Sequence, residues 1–369
     1  MLDPLPLLRD LVGVNSVNPD LVPGAPGEMA AAQLVAAWAG AAGLEVHVEE
    51  VEPGRSNVVA VARGAGGGRS LMLNAHLDVV GVEQYPEPFD VVETDDTWSG
   101  RGVLDTKAGL AAALAIAAEA VGEPLHGDVI VTAVVDEECG SKGTEALVDR
   151  WTADAAIVLE PTELRIVTDH RGWAWGQVVV HGRAAHGSRH DLGVDAIVHM
   201  APVLAGLADL QRTLAARPPH PVLGHASVHA SLVTGGAEMS TYPARCVLDV
   251  ERRLLPEEDV TTLRAELDAL AELVRRPATA EVSTSMARAP LHTPREASIV
   301  TALTDAGPRL PVGDAPFWTD AALLSAAGIP SVVFGPRGGG IHETHEWLDL
   351  ASFAEFTRVL RAATRAFCA

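Results

Sequence analysis

LMLNAHLDVV (Leu71–Val80) and, after a loop through Pro86 and Pro88, WSGRGVLDTKAGLAAAL (Trp98–Leu114) decide how this chain is read. Leu71–Ala75 is a short apolar run with the length and bounds of a buried strand. It stops abruptly at His76-Leu77-Asp78. In open α/β sheets, ligands and metals collect where strands exit. A metal-bound imidazole normally gives its second N–H to a carboxylate or carbonyl, so His76 and Asp78 have the spacing of a ligand and its orienter. Asp105 sits between a Gly-rich turn and an Ala/Leu helix, from which its carboxylate can reach the same place.

On the N-terminal side, Leu5–Val12 reads as a helix and Glu28–Gly43 as a second, Ala-rich one stopped where helix ends favour glycine. Leu44–Val51 and Asn57–Ala62 have strand character. Gly64–Gly68 is a loop without the Lys-Ser/Thr of a phosphate-binding loop. Beyond helix Gly109–Val121 comes Val129–Val135, a β-branched run of buried-strand character ending in Asp136-Glu137-Glu138. Helix Gly143–Arg150 leads to the apolar run Ala155–Leu159, which ends in Glu160-Pro161. Strands alternating with helices predict an α/β fold with a mostly parallel central sheet covered by helices on both faces.

The texture changes at His170. Trp173–His181, His225–Val233, Cys246–Leu254 and Glu281–Met286 read as strands, and Val194–Leu210 and Glu257–Arg275 as helices. Strand–helix–strand–strand–helix–strand matches a split βαβ unit able to fold on its own. From Pro294 the α/β texture returns, with helices Ser298–Ala306 and Asp320–Ala327, strand Ser331–Phe334 and helix Ala351–Phe367. The expectation is a discontinuous domain of residues 1–170 and 288–369, with residues 171–287 inserted into it.

A 369-residue chain of this make-up, 48% hydrophobic and 21% charged, is an ordinary globular protein of two or more domains. Its formal net charge of −22 argues against nucleic acid or an anionic membrane as partner. Three scattered cysteines (Cys139, Cys246, Cys368) fit a reducing compartment better than a disulfide framework. No basic leader opens the sequence, and Ala108–Ala118, its longest apolar stretch, is too short to span a bilayer. These features predict a cytoplasmic protein.

Three strand runs end in acidic or histidine clusters: His76/Asp78, Glu137/Glu138 and Glu160. A fourth, Ser331–Phe334, runs into Gly-Pro-Arg-Gly-Gly-Gly-Ile-His342. Two histidines and three carboxylates suit a pair of zinc ions with one carboxylate bridging. Two such ions a few Å apart can hold a hydroxide and polarise a carbonyl. The extra carboxylate of the Glu137-Glu138 pair is then free for proton transfer.

In these motifs the chain resembles the di-zinc family that includes acetylornithine deacetylase, succinyl-diaminopimelate desuccinylase, aminoacylase and glutamate carboxypeptidase. The likeness runs through NAHLDVV (74–80), GRGVLDTKAG (100–109), VVDEECGSKG (134–143), VLEPTE (158–163), GRAAHGSRHDLGVDAI (182–197), GGAEMSTYPARCVLDVERRLLPEED (235–259) and GIPSVVFGPRGGGIHETHEWL (328–348). The resemblance implies a zinc-peptidase-like catalytic domain and an inserted ferredoxin-like lid domain that makes a homodimer. It implies two Zn2+, with Co2+ or Mn2+ as substitutes, held by His76, Asp105, Glu138, Glu160 and His342. Asp105 would bridge, His76 and Glu160 would hold one ion, and Glu138 and His342 the other. Asp78 would orient His76, and Glu137 would be the general base. His186 would reach into the partner's site to support the oxyanion, and Arg253 would contact the substrate carboxylate.

The implied reaction is hydrolysis of the amide bond of an N-acyl amino acid or a short peptide with a free carboxylate. The rival readings are a dipeptidase or aminopeptidase of the same fold, and a non-catalytic metal- or ligand-binding relative. A Glu at position 160 accompanies deacylases and carboxypeptidases in the family, whereas aminopeptidase relatives tend to carry Asp there. Ser240 stands where the family often has Asn, Arg337 replaces a commoner Gly, and His345 replaces a usual Asp. These departures bear on substrate grip. HETHE spaces its histidines by three, unlike the HExxH zinc motif, and His345 is left as an auxiliary candidate. Arg253 is also placed to pair with an acid on its own strand. Cys139 is expected to be a small buried filler, Lys107 a local cap or ion-pair partner, and Trp173 and Trp175 strand packing.

Overall fold

The computed structural model describes every residue except Pro308. The chain forms two compact units. One comprises Met1–Asp169, His292–Ala315 and Thr319–Ala369; the other comprises His170–Leu291 with Pro316–Trp318.

The first unit is built on a mixed sheet whose middle strands run in the order Val129–Val134, Leu71–His76, Ala155–Val158, Ser331–Val333, all parallel. On one side of these lies the hairpin of Glu45–Glu52 and Arg55–Ala62. Its two-residue Pro53-Gly54 turn forces antiparallel pairing. On the other side Ile166–His170 pairs antiparallel with Ser331–Val333. The expected parallel pairing is thus found in the four central strands, with antiparallel strands on either side.

That centre positions the site. Parallel strands exit on one edge, so His76, the Glu137-Glu138 pair, Glu160 and the loop leading to His342 all leave the sheet on the same side. Behind this edge lies helix Lys107–Gly122, buried on every face from Lys107 to Ala117. A helix that is apolar all round belongs inside, and its alanines let it pack close to strands Leu71–His76 and Val129–Val134.

A second, small antiparallel sheet joins Gly338–Gly339, Trp347–Asp349, Thr97–Ser99 and Val92–Glu93. None of these strands is long enough to show periodicity, and the sequence gives no sign of them. They tie the segment before Asp105 to the segment after His342.

The other unit is a four-stranded antiparallel sheet in the order Ser227–Gly235, Arg245–Leu254, Gly172–His181, Thr279–Arg288. Helices Ala196–Ala216 and Val260–Ala271 pack on it over a core that includes Val178, Met200, Leu207, Leu248, Leu263 and Leu267. The first helix runs six residues past the expected end at Leu210, because no glycine or proline occurs between Leu210 and Arg217, which the next prolines follow. Among the described residues no helix is long and apolar enough to cross a membrane.

Candidate metal centre

His76, the last residue of its strand, is buried, and its Nδ1 lies 2.8 Å from the main-chain oxygen of Asp78. That contact turns Nε2 toward Asp105 Oδ1 at 3.1 Å and Glu160 Oε1 at 3.5 Å. His342 Nε2 lies 3.0 Å from Glu138 Oε2 and 3.4 Å from Asp105 Oδ2. The two oxygens of Asp105 therefore face different imidazoles. Donor atoms of His76, Glu137 and Glu160 fall within 4.8 Å of one another, as do those of His76, Asp105 and Glu138. His76, Asp105, Glu137, Glu138, Glu160 and His342, far apart in sequence, come together in the fold.

Their electrostatics are strained by this crowding. Burial, reinforced by neighbouring carboxylates, pushes Glu137 and Glu160 well above the ordinary carboxylate range. Burial and Asp105 push Glu138 up to about 7. Burial alone would lower the His76 imidazole, but Glu160, Asp105 and Asp78 carry it well above its usual value. Hydrogen bonds to Asp105 and Glu138 push His342 up to about 10. Burial opposes ionisation of Asp105, yet bonds to His342 and His76 hold it far below the usual range.

Among the described residues, the ion-pair partners of Asp105, Glu138 and Glu160 are these two imidazoles alone. Imidazole nitrogens and carboxylate oxygens at these separations are a donor set for first-row divalent cations. A cation relieves the same carboxylate repulsion that drives the shifts. The residues present fit a metal centre.

A charged network beneath the site went unread in the sequence. The Asp78 carboxylate accepts the main-chain N–H groups of Glu137 and Glu138, each at 3.1 Å, and the Asn18 amide at 2.8 Å. Asn18 also donates to Asp136, which Arg55 holds at 3.1 Å while its guanidinium forks onto buried Glu28. Asp136 has a φ of 68° and His342 one of 62°, left-handed conformations that surroundings must enforce in residues other than glycine. Two glycines clamp Glu160. A Cβ on Gly335 would lie 2.1 Å from the Glu160 carbonyl oxygen, and one on Gly109 2.6 Å from that of Leu159.

Other sequence candidates fall elsewhere. Cys139 is exposed, not a buried filler, because the turn after Glu138 points it to solvent. The bond Lys107 makes is not the local one expected but reaches a residue far away in sequence. The side chain is buried, and its Nζ reaches Val14 O at 3.0 Å, with burial lowering the ammonium to about 7. His345 is exposed, as is Arg337. Within the other unit, His186 pairs across a β-bridge with Thr241, next to Ser240, and its Nδ1 lies 2.8 Å from Ser188 Oγ. Arg253 pairs with Glu251 at 2.7 Å on its own strand. Trp173 and Trp175 lie together with ring centroids 4.6 Å apart.

The sequence model of peptidase family M20/M25/M40 matches residues 72–366. Acetylornithine deacetylase of Myxococcus xanthus is 30% identical over 331 residues, covering 85% of this chain and 84% of its own. N-formyl-4-amino-5-aminomethyl-2-methylpyrimidine deformylase of Halalkalibacterium halodurans is 29% identical, covering 88% of this chain and 86% of its own. In structure, aminopeptidase PepT from Bacillus cereus ATCC 10987 matches with a TM-score of 0.80, covering 99% of this chain and 98% of its own. At 19% identity that is a likeness of fold.

Proposed function

This chain belongs to peptidase family M20/M25/M40, and from that footing we propose that it hydrolyses the amide bond of an N-acyl amino acid or short peptide bearing a free carboxylate. It is a metal-dependent hydrolase of that family. The proposed cofactor is a pair of zinc ions. His76 and Glu160 would hold one, Glu138 and His342 would hold the other, and Asp105 would serve both. The observation that carries this reading is the divided Asp105 carboxylate, one oxygen toward each imidazole.

When bound, the ions supply Lewis acidity for the scissile carbonyl and for a water molecule. Glu137, outside that ligand set and made basic by burial and its neighbours, takes the proton of the attacking water and later returns it to the departing amine. Asp78 holds the main chain of Glu137 while its carbonyl fixes His76. Arg253 and Ser240 contact the substrate. Relatives named for removing an acetyl and a formyl group, at 30% and 29% identity, support the acyl-amine substrate over a peptide. Turnover of a panel of N-acyl amino acids and dipeptides, with and without chelator, tests this. Chelator-sensitive cleavage of acylated amino acids is expected. Cleavage of dipeptides alone would favour the peptidase reading, and loss of neither activity on chelation would end the metal reading.

The unit containing His170–Leu291 makes a homodimer in this proposal, and His186 serves the partner's site. Strand Ser227–Gly235 supports it as an open edge with Leu232 and Val233 exposed, the kind of edge that pairs with another chain. A dimer in solution, and a His186→Ala variant that loses turnover while keeping its metal, are the expected results. A monomer with full activity would remove both. Three free thiols accord with a cytoplasmic location.

A further inference from the structure

The segments that carry Asp105 and His342 come from opposite ends of the same unit, and one buried side chain joins them. Resting on the two-ion reading above, we propose that Glu346 is a positioning residue that sets the bridging carboxylate Asp105 against the second-ion ligand His342. Glu346 follows His342 by one turn's length of chain and is completely buried.

Its Oε1 accepts the main-chain N–H groups of Leu104 at 2.9 Å and Asp105 at 3.1 Å. Its Oε2 accepts Arg101 Nη1 at 2.9 Å and the Gly102 N–H at 3.0 Å. Both oxygens are saturated, and every donor lies between Arg101 and Asp105. The contact is returned from the other side. The Gly100 N–H donates to Glu346 O at 3.2 Å, and Arg101 Nη2 donates to Glu343 O at 2.6 Å. The Tyr85 hydroxyl accepts from Glu346 N at 3.2 Å and donates to Glu346 O at 3.3 Å. Immediately beyond, Trp347–Asp349 pairs with Thr97–Ser99 in the small sheet.

The chemistry of the group explains why one residue suffices. An ionised carboxylate accepts only, so it can take four donors at once, and charge-assisted bonds of this kind are short and directional. A charge buried this deeply is tolerated only with its partners in place. The two segments are therefore held in a single arrangement. His342, with its left-handed backbone, sits inside the span so fixed. Movement of Glu346 would shift Asp105 relative to His342 while leaving His76, at the end of its strand, and Glu160, two residues past the end of its own, in place.

Calorimetric titration of metal-free protein with Co2+ tests the assignment. Wild-type protein is expected to bind two ions. Glu346→Gln turns an NH2 toward main-chain N–H groups. It should weaken the second ion about tenfold or more and leave the first within about threefold. A loss at the second ion well beyond that at the first is the signature: Asp105 serves both ions, but its spacing from His342 bears on the second, and a merely structural role would lower both affinities alike. Equal weakening of both ions, or no change in either, overturns the proposal. Uptake of a single ion by wild-type protein would overturn it together with the two-ion reading, and that result is seen before any variant is made. Should Glu346→Gln not fold, Tyr85→Phe decides. A smaller loss that falls mainly on the second ion supports the role of Glu346, and an unchanged second affinity overturns it.

Discussion

Asp78 holds the ring of His76 through its main-chain oxygen, 2.8 Å from Nδ1, while the nearer oxygen of its carboxylate stands 3.6 Å from that nitrogen. The carboxylate is engaged with the backbone of Glu137 and Glu138. Asp78→Asn should therefore keep the metal and lose turnover, by about 10- to 100-fold. Its amide cannot accept from both N–H groups, so Glu137 is released while His76 is not. Metal analysis beside kcat decides it. Loss of metal in step with activity would show that the carboxylate, after all, orients the imidazole.

Glu137→Gln removes the proton carrier and leaves the proposed ligands untouched. Metal content should be unchanged, with kcat lowered about a hundredfold to ten-thousandfold. A variant that turns over at the parental rate would take Glu137 out of the mechanism.

Gly335→Ala places a methyl 2.1 Å from the Glu160 carbonyl oxygen, and the main chain on both sides must give. The expected cost is on the order of 1–3 kcal/mol in denaturant unfolding, as for other overpacked cores. Weaker metal binding should accompany it, since the residue displaced is a proposed ligand. Gly328→Ala, whose Cβ would meet nothing within 4 Å but which carries a φ of 87°, serves as a control for backbone strain alone. Equal metal affinity in the two variants would argue against the clamp.

Acidity should govern how much the metal stabilises the fold. Glu138 is raised from 4.5 to about 7 and His342 from 6.5 to about 10 in the metal-free chain. Groups raised on folding contribute stability that is complete below their unfolded values and lost as pH climbs through the folded ones. Metal-free protein should therefore lose these contributions between about pH 5 and pH 10, the interval over which ligands become free of protons. The rise in Tm on adding excess Zn2+ should grow from about pH 5 to about pH 8. A rise independent of pH would contradict the assignment of Glu138 and His342.

What the sequence displayed, and what it hid, follows from the range of each interaction. Val129–Val134 and Leu71–His76 were legible because a buried parallel strand is a continuous apolar run, and its end is marked by the first charge. The donors at those ends were legible for the same reason. Thr97–Ser99 and Trp347–Asp349 were not, being too short for any period to register. Asn18 and Arg55 gave no local signal. Each looks like an ordinary polar residue until the fold sets it against Asp78 and Asp136. Glu346 stood in plain view in HETHE, but nothing in one strand of text shows that its carboxylate closes on Arg101–Asp105. Cys139 misled because neighbours in sequence of a buried group need not be buried themselves.

The order of the donors along the chain has a bearing on biosynthesis. His76, Asp105, Glu138 and Glu160 are all made before the His170–Leu291 unit, and His342 only after it. A nascent polypeptide thus carries four of the five proposed ligands through the whole time that unit takes to emerge from the ribosome. Until His342 and the residues behind it arrive to close the small sheet, any cation captured early sits in a half-finished cage.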